Sequence, residues 1–384
     1  MRRWPWLMVA LALVSCGGGG SSGAVAGSGN PLGDVGVDAA TLGDVELADG
    51  LAANDTAGME PPAAVCRAGT RWKQGIKAYE KATEKWGLKG VSGIRLSVTD
   101  FDGDGRPDLM IRNGGGPDDF TAADKRSRWL LRNTGNGGFD DVTEKSKVLQ
   151  GRYNTDPAFG RPAPIFVAGD VDNDGDMDIY TLTSTSVPKS GQETSEVMLN
   201  NGDGTFSLGP EGSAARFAGE QSVPAGAAFT DFDRDGNLDL WVSHNMAGKS
   251  EPLPDRLLQG DGKGGFVDVS AKLGVKTKGW SSVAHRNAGL SHSWAWSAAA
   301  CDLNNDGAPE LLAASYGRKP NHLWRSTPTD EGGVLYVNES VASGYAYDNN
   351  LDWTDNISAQ CHCQDHPSQA ECDKAPKPNP AVCA

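Results

Sequence analysis

The sequence predicts an all-β protein built from four copies of one four-stranded antiparallel unit. Three observations carry this. A nine-residue acidic loop recurs at residues 100–108, 170–178, 231–239 and 302–310. Short apolar or alternating runs bracket every loop, and runs of four to six residues bounded by Gly, Asp and Asn read as strands rather than helices. The loop starts lie 70, 61 and 71 residues apart, a period of the size of one β-propeller blade with modest insertions.

The elements follow in the same order in each unit. A first strand precedes the loop (residues 94–98, 165–168, 227–229 and 296–300) and a second follows it (109–111, 179–182, 240–242 and 311–313). A third comes at 129–133, 197–200, 256–259 and 322–325, and a fourth starts at Phe139, Phe206, Phe266 and Tyr336. Glycine-rich turns before the first three of these aromatic residues are hairpin signals. Residues 79–85 align with residues 139–145 and read as a further fourth strand ahead of the first complete unit. A strand supplied from that side can close a propeller ring and leave no open edge.

Within the loops, oxygen side chains recur at positions 1, 3, 5 and 9, as a hard cation with six to eight oxygen ligands requires. Position 6 is Gly105, Gly175, Gly236 or Gly307, where a sharp turn calls for positive φ. Position 7 varies, which assigns it a backbone carbonyl. The expected metal ligands are therefore Asp100, Asp102, Asp104, Arg106 and Asp108; Asp170, Asp172, Asp174, Asp176 and Asp178; Asp231, Asp233, Asp235, Asn237 and Asp239; and Asp302, Asn304, Asp306, Ala308 and Glu310. An EF-hand would place Glu at position 12 between two helices, and neither condition is met. Four Ca²⁺ are expected, bound most weakly in the fourth loop, where Asn304 lowers the charge and Glu310 lengthens one ligand arm.

The net charge of −15 argues against nucleic acid as a partner. Fifteen acidic groups are loop ligands, so four Ca²⁺ would bring the charge to about −7. Residues 1–15 read as a signal peptide, with Arg2 and Arg3 before an apolar stretch. Residues 13–16, Leu-Val-Ser-Cys, resemble a lipobox with Cys16 as the lipidated residue, and Gly17 after it favours the outer membrane. Residues 16–65 form a Gly/Ser and acidic tether, whose r.m.s. span would be roughly 40 Å. Residues 66–340 hold the blades. Residues 341–384 are a Cys-rich loop or the start of another blade.

Beyond Cys16 there are six cysteines: Cys66, Cys301, Cys361, Cys363, Cys372 and Cys383. An even number in an exported chain points to disulfides, with a small zinc site including His362 and His366 as the alternative. The other histidines, His244, His285, His292 and His322, show no acidic or Ser partner at informative spacing. Trp280, Trp294, Trp296, Tyr316 and Trp324 would either line a sugar-binding face or pack between blades.

Residues 100–109 with 131–143, and 231–240 with 258–270, resemble the FG-GAP/VCBS repeat, in particular its cartilage acidic protein-like (ASPIC/UnbV-related) branch of bacterial exported proteins. The resemblance spans roughly residues 76–345 and implies a propeller with Ca²⁺ between the first two strands of each blade, serving adhesion or the binding of a protein or glycan. Seven such blades would need roughly 450 residues, so an incomplete ring is expected. The expected role is a calcium-binding, lipid-anchored, non-enzymatic adhesion or ligand-binding module, periplasmic or surface-facing. A polysaccharide lyase or hydrolase, or a lectin, on the same scaffold is the alternative.

Overall fold

The computed structural model describes residues 81–113, 127–154, 160–162, 165–185, 187–245, 252–279, 281–316, 319–329, 333–347 and 357–374. The first sheet holds β1 (Arg95–Thr99), β2 (Asp108–Arg112), β3 (Arg128–Asn133) and β4 (Phe139–Asp141). In the second are β5 (Ile165–Gly169), β6 (Asp178–Leu182), β7 (Glu196–Asn200) and β8 (Phe206–Leu208). The third comprises β9 (Pro224–Thr230), β10 (Asp239–His244), β11 (Arg256–Gly260) and β12 (Phe266–Asp268). The fourth comprises β13 (Ala295–Cys301), β14 (Glu310–Ser315), β15 (His322–Pro328) and β16 (Val334–Asn338). Each sheet is an antiparallel meander in chain order, as the alternation and turn chemistry require. Short helices lie at α1 (Thr143–Ser146), α2 (Val283–Asn287) and α3 (Ile357–Asp365).

The sheets stack as propeller-like blades through their first strands, β1 on β5, β5 on β9 and β9 on β13. Among the described residues β13 does not pack back on β1 in this way, so the four blades form an open array. One apolar residue, at loop position 2, couples each blade to the next. Phe101 enters a core with Phe166, Ile179, Met198 and Phe206 of the second blade. Val171 does the same with Leu240, Leu258 and Phe266 of the third, and Phe232 with Leu311, Trp324 and Tyr336 of the fourth. These three are 2%, 1% and 3% exposed, whereas Leu303 in the fourth loop is 51% exposed. No described blade follows to receive it.

The outer faces of the array match this picture. Ser97 turns toward the second blade and donates to the Phe166 carbonyl at 2.8 Å, so its strand neighbours Leu96 and Val98 face the other way, where both are exposed. On the last blade Tyr336 is buried against the third blade and its neighbours Leu335 and Val337 are exposed.

A tight turn follows the fourth strand and ends in a left-handed residue: Lys147 (φ 60°), Gly274 (φ 88°) and Gly344 (φ 78°). The stretch at 79–85, expected to be a strand, differs in its described part. Trp86 N–H donates to the Ala82 carbonyl at 3.0 Å and Gly87 has φ 75°, which is this same closing turn. It docks on the first blade through Phe139 N–H to the Trp86 carbonyl, 2.9 Å, as Tyr336 N–H docks on Leu273, 2.7 Å. Residues 79 and 80 lie outside the described residues.

Truncating the inter-blade plug is expected to be costly only where a blade receives it. Phe232→Ala should lose about 3–5 kcal/mol of stability, while Leu303→Ala should change it by no more than about 0.5 kcal/mol, as measured by urea unfolding.

Candidate metal centres

Three of the four loops gather carboxylates from positions 1, 3 and 9. In Asp100, Asp102 and Asp108, in Asp170, Asp172 and Asp178, and in Asp231, Asp233 and Asp239, one oxygen from each residue lies within 4.8 Å of the others. Position 1 caps the turn: Asp100 accepts from Asp104 N–H at 3.1 Å and Gly105 N–H at 2.8 Å, and Asp170, Asp231 and Asp302 repeat the pattern.

Position 9 opens the second strand and is fully buried in the first three loops. Asp108 accepts from Phe101 N–H at 3.1 Å and from Asn133 N–H at 2.7 Å. Asp178 accepts from Val171 and Asn200, at 2.8 and 2.7 Å, and Asp239 from Phe232 and Gly260, both at 2.9 Å. Burial pushes Asp108 up to about 6, and Asp178 and Asp239 up to about 7, from an ordinary 3.8; the backbone donors oppose the rise and the carboxylates at positions 3 and 5 add to it. A cation among these groups would reverse that penalty.

Position 3 shows the need for one most directly. Oδ1 of Asp102, Asp172 and Asp233 is buried with no hydrogen-bond partner. A buried carboxylate oxygen without a donor is expensive, and a hard, oxygen-seeking cation is the partner that this all-oxygen donor set fits. Of the second oxygens, Asp102 Oδ2 takes Arg132 Nε at 2.5 Å and Asp233 Oδ2 takes Gln259 Nε2 at 2.6 Å.

Position 5 differs from expectation. The carboxylates of Asp104, Asp174, Asp235 and Asp306 accept from the N–H two residues on, at 2.8–2.9 Å, in a local turn, and they are not grouped with positions 1, 3 and 9. At position 7 the side chain serves the loop rather than idling: Arg106 pairs with Asp104, and Asn237 donates to Asp235 at 3.0 Å. In the fourth loop Asn304 donates Nδ2 to Asp306 at 3.0 Å and to Glu310 at 3.4 Å. An amide donor there does part of the work that a cation would do in the other loops.

The glycines at position 6 have φ of 79–95°, with open space beside Gly105, Gly175 and Gly236 and the Arg234 guanidinium 3.0 Å from where a Cβ on Gly307 would lie, so in the first three loops backbone conformation rather than crowding selects glycine. Position 4 is also left-handed: Gly103 (φ 67°), Asn173 (60°), Arg234 (61°) and Asn305 (60°). Three of these are residue types that tolerate such φ; Arg234 is not. Its side chain explains its presence, since Nη2 donates to the Asp306 carbonyl of the next loop at 3.1 Å. Asn173 likewise donates to Asn237 Oδ1 at 2.9 Å. Loops two, three and four are thus linked in series.

The histidines, unpartnered in the sequence, acquire partners in the fold. His244 Nε2 meets Ser222 Oγ at 3.1 Å. Asp255 accepts from His244 N–H at 2.8 Å and from Ser293 Oγ at 2.7 and 3.0 Å, with His322 Nδ1 3.6 Å away. Burial holds His244 and His292 down at about 4. Cys363 and Cys372 form a disulfide, and Cys301 and Cys361 each take part in a disulfide of their own, which favours cystine over zinc. Trp324 packs between the last two blades, whereas Trp294, Trp296 and Tyr316 cluster near the surface. Cys16, Cys66, Cys383 and Trp280 lie outside the described residues.

Two opposing pH effects follow. The raised carboxyls stabilise the metal-free fold below about 4, and this is lost as pH rises through about 7. The depressed histidines favour the fold above their ordinary 6.5, and this is lost as pH falls toward about 4. Calcium titration separates the two, because only the carboxyls compete with the metal. Affinity should drop at least several-fold between pH 8 and pH 6, with proton release on binding, and the fourth loop should fill last, as read by isothermal calorimetry in buffers of different ionisation enthalpy.

Residues 100–181 and 170–242 match the model of the FG-GAP-like repeat; each match runs from one acidic loop through the next, into the strand beyond it. The crystal structure of the V. cholerae biofilm matrix protein Bap1 is similar at 15% identity and a TM-score of 0.28, over 67% of this chain. The chain spans 39% of that protein's length. No curated protein matches. Residues 100–242 are thus similar to FG-GAP-like repeats, and in this stretch each acidic loop lies between the first and second strands of a blade.

Proposed function

We propose that this chain is an exported, calcium-stabilised module for adhesion or ligand binding, without catalytic activity of its own. The observation that carries the calcium reading is the buried, partnerless Oδ1 of Asp102, Asp172 and Asp233 beside a fully buried carboxylate in the same loop. Such a site is assembled only when the chain folds, so metal binding becomes folding free energy. Both oxygens of each position-9 carboxylate in these three loops are engaged by backbone donors, which suits a structural role better than proton transfer.

The signal-like N-terminus, the lipobox-like residues 13–16 and the acidic tether support attachment through a lipid on Cys16 to the bacterial outer membrane. The ligand is a protein or a glycan, and the specific family branch is the cartilage acidic protein-like one that the repeat resembles. Adhesion at a surface is compatible with a blade array whose metal serves the scaffold and leaves its other surfaces for recognition.

Two measurements test this. The melting temperature in millimolar Ca²⁺ should exceed that in chelator by about 10 °C or more, since occupancy far above Kd contributes about 3–4 kcal/mol per site; equal melting points would defeat the calcium reading. Cells fed a labelled fatty acid should label the wild type and not Cys16→Ser, and equal labelling would defeat the anchor.

A further inference from the structure

We propose that the end of the blades opposite the metal loops binds an acidic polysaccharide, with Arg95 receiving the anionic group and Trp296 and Tyr316 stacking on the sugar ring. Arg95 opens β1 and Trp296 is the second residue of β13, while both strands run toward their loops at residues 100 and 302. Tyr316 follows the last residue of β14, which starts at its loop. All three residues therefore sit away from the cations. Here the first and last blades approach each other: the Arg95 guanidinium lies 5.7 Å from the Trp296 ring centroid.

The charge pattern selects an anion. Arg95 pairs in register with Arg112, and Arg112 with Arg128, placing three like charges in a row across one sheet, an arrangement that repels. Arg112 and Arg128 are buried and have interactions of their own. Around Arg95 the first influence is burial and the second is the positive Arg112, both of which disfavour its charge. The Arg95 guanidinium carries its N–H donors in a planar fork, a shape that matches a carboxylate or sulfate.

Aromatic geometry selects a sugar. Tyr316 meets both Trp294 and Trp296 edge-on, with centroids 5.4 and 5.8 Å apart, and Trp296 and Tyr316 remain 50% and 57% exposed. Exposed aromatic faces attract the C–H face of a pyranose ring. The platform is braced: Trp294 Nε1 donates to Asn245 Oδ1, Trp294 N–H to Ser315 Oγ at 3.1 Å and Tyr316 N–H to the Trp294 carbonyl at 2.8 Å. Beneath it Ser293 is fixed to buried Asp255. A recognition surface held this way needs little reordering on binding. The chain's overall −15 charge does not oppose the ligand, because much of it is gathered in the loops at the other end.

This assignment rests on the proposed ligand-binding role and is tested separately from calcium. The full chain, saturated with Ca²⁺ and its melting point first compared with and without chelator, is titrated with hyaluronan octasaccharide, sulfated dextran oligosaccharide and neutral dextran oligosaccharide, following tryptophan fluorescence and heat. At least one acidic oligosaccharide should bind tenfold or more tightly than neutral dextran. Arg95→Gln and Trp296→Ala, each with wild-type melting, should weaken that binding by about tenfold, and Trp86→Ala, at another exposed tryptophan, should not. Binding of hyaluronan alone or of the sulfated probe alone supports the site and identifies the anion as carboxylate or sulfate. Equal binding of neutral dextran, unchanged affinity in Arg95→Gln, or no binding of any probe overturns it. A melting point indifferent to chelator would defeat the calcium reading whatever the sugars do.

Discussion

In each of the first three blades one buried carboxylate faces two ways. Asp108, Asp178 and Asp239 each hold the N–H at loop position 2 and the N–H of the last residue of the third strand, Asn133, Asn200 or Gly260. The first bond sets the loop and with it the apolar side chain at position 2; the second ties the loop to the blade's far hairpin. A charged carboxylate in that place is unfavourable by itself, as the rise of its pKa toward 6 or 7 shows. The same geometry that organises the blade thus creates the demand for a cation.

Position 2 then transmits that order outward. Phe101, Val171 and Phe232 leave their own loops and complete the core of the following blade, while Asn200 reaches back to the Phe101 carbonyl at 2.7 Å. A cation held in one loop would therefore bear on the interface with the next blade, not only on its own turn. The links from Asn173 to Asn237 and from Arg234 to Asp306 run in the same direction. They account for two side-chain-bearing residues in a left-handed conformation where glycine would be easier.

Much of this was legible in the sequence, because repetition exposes it. Four loops in phase with flanking apolar runs establish strand order, the place of the acidic turn in each blade and the glycine at position 6. The features that are not legible there are less periodic or have no local signature. Position 5 carries the same residue type as positions 1 and 3, and only the fold shows that Asp104, Asp174 and Asp235 serve the N–H of position 7. Position 4 offered a signal in Gly103, Asn173 and Asn305, which Arg234 obscured. Residues 79–85 read as a fourth strand by their likeness to residues 139–145, yet that likeness runs past the strand, and the described part from residue 82 on is the turn that follows it. The pairing of His244 with Ser222 and of Asp255 with Ser293 spans 22 and 38 residues, distances at which spacing says nothing.

The open ends follow from the same coupling rule. If every blade completes its neighbour's core, an array must present one unused plug and one unfilled face, and it does: Leu303 at one end, Leu96 and Val98 at the other. Exposed apolar surface of this kind has a free-energy cost of about 25 cal/mol per Å² relative to burial. It is distributed differently from the charge. The acidic loops crowd one edge of the sheets, where cations can neutralise them, and the arginine row of the first blade occupies the opposite edge. Because strands alternate direction, residues next to the loop in sequence come to that acidic edge, and residues one strand-length away come to the opposite one. The polarity of the molecule is therefore a consequence of where the loop sits in the meander, which leaves the edge distant from the metal free to differ in chemistry from blade to blade.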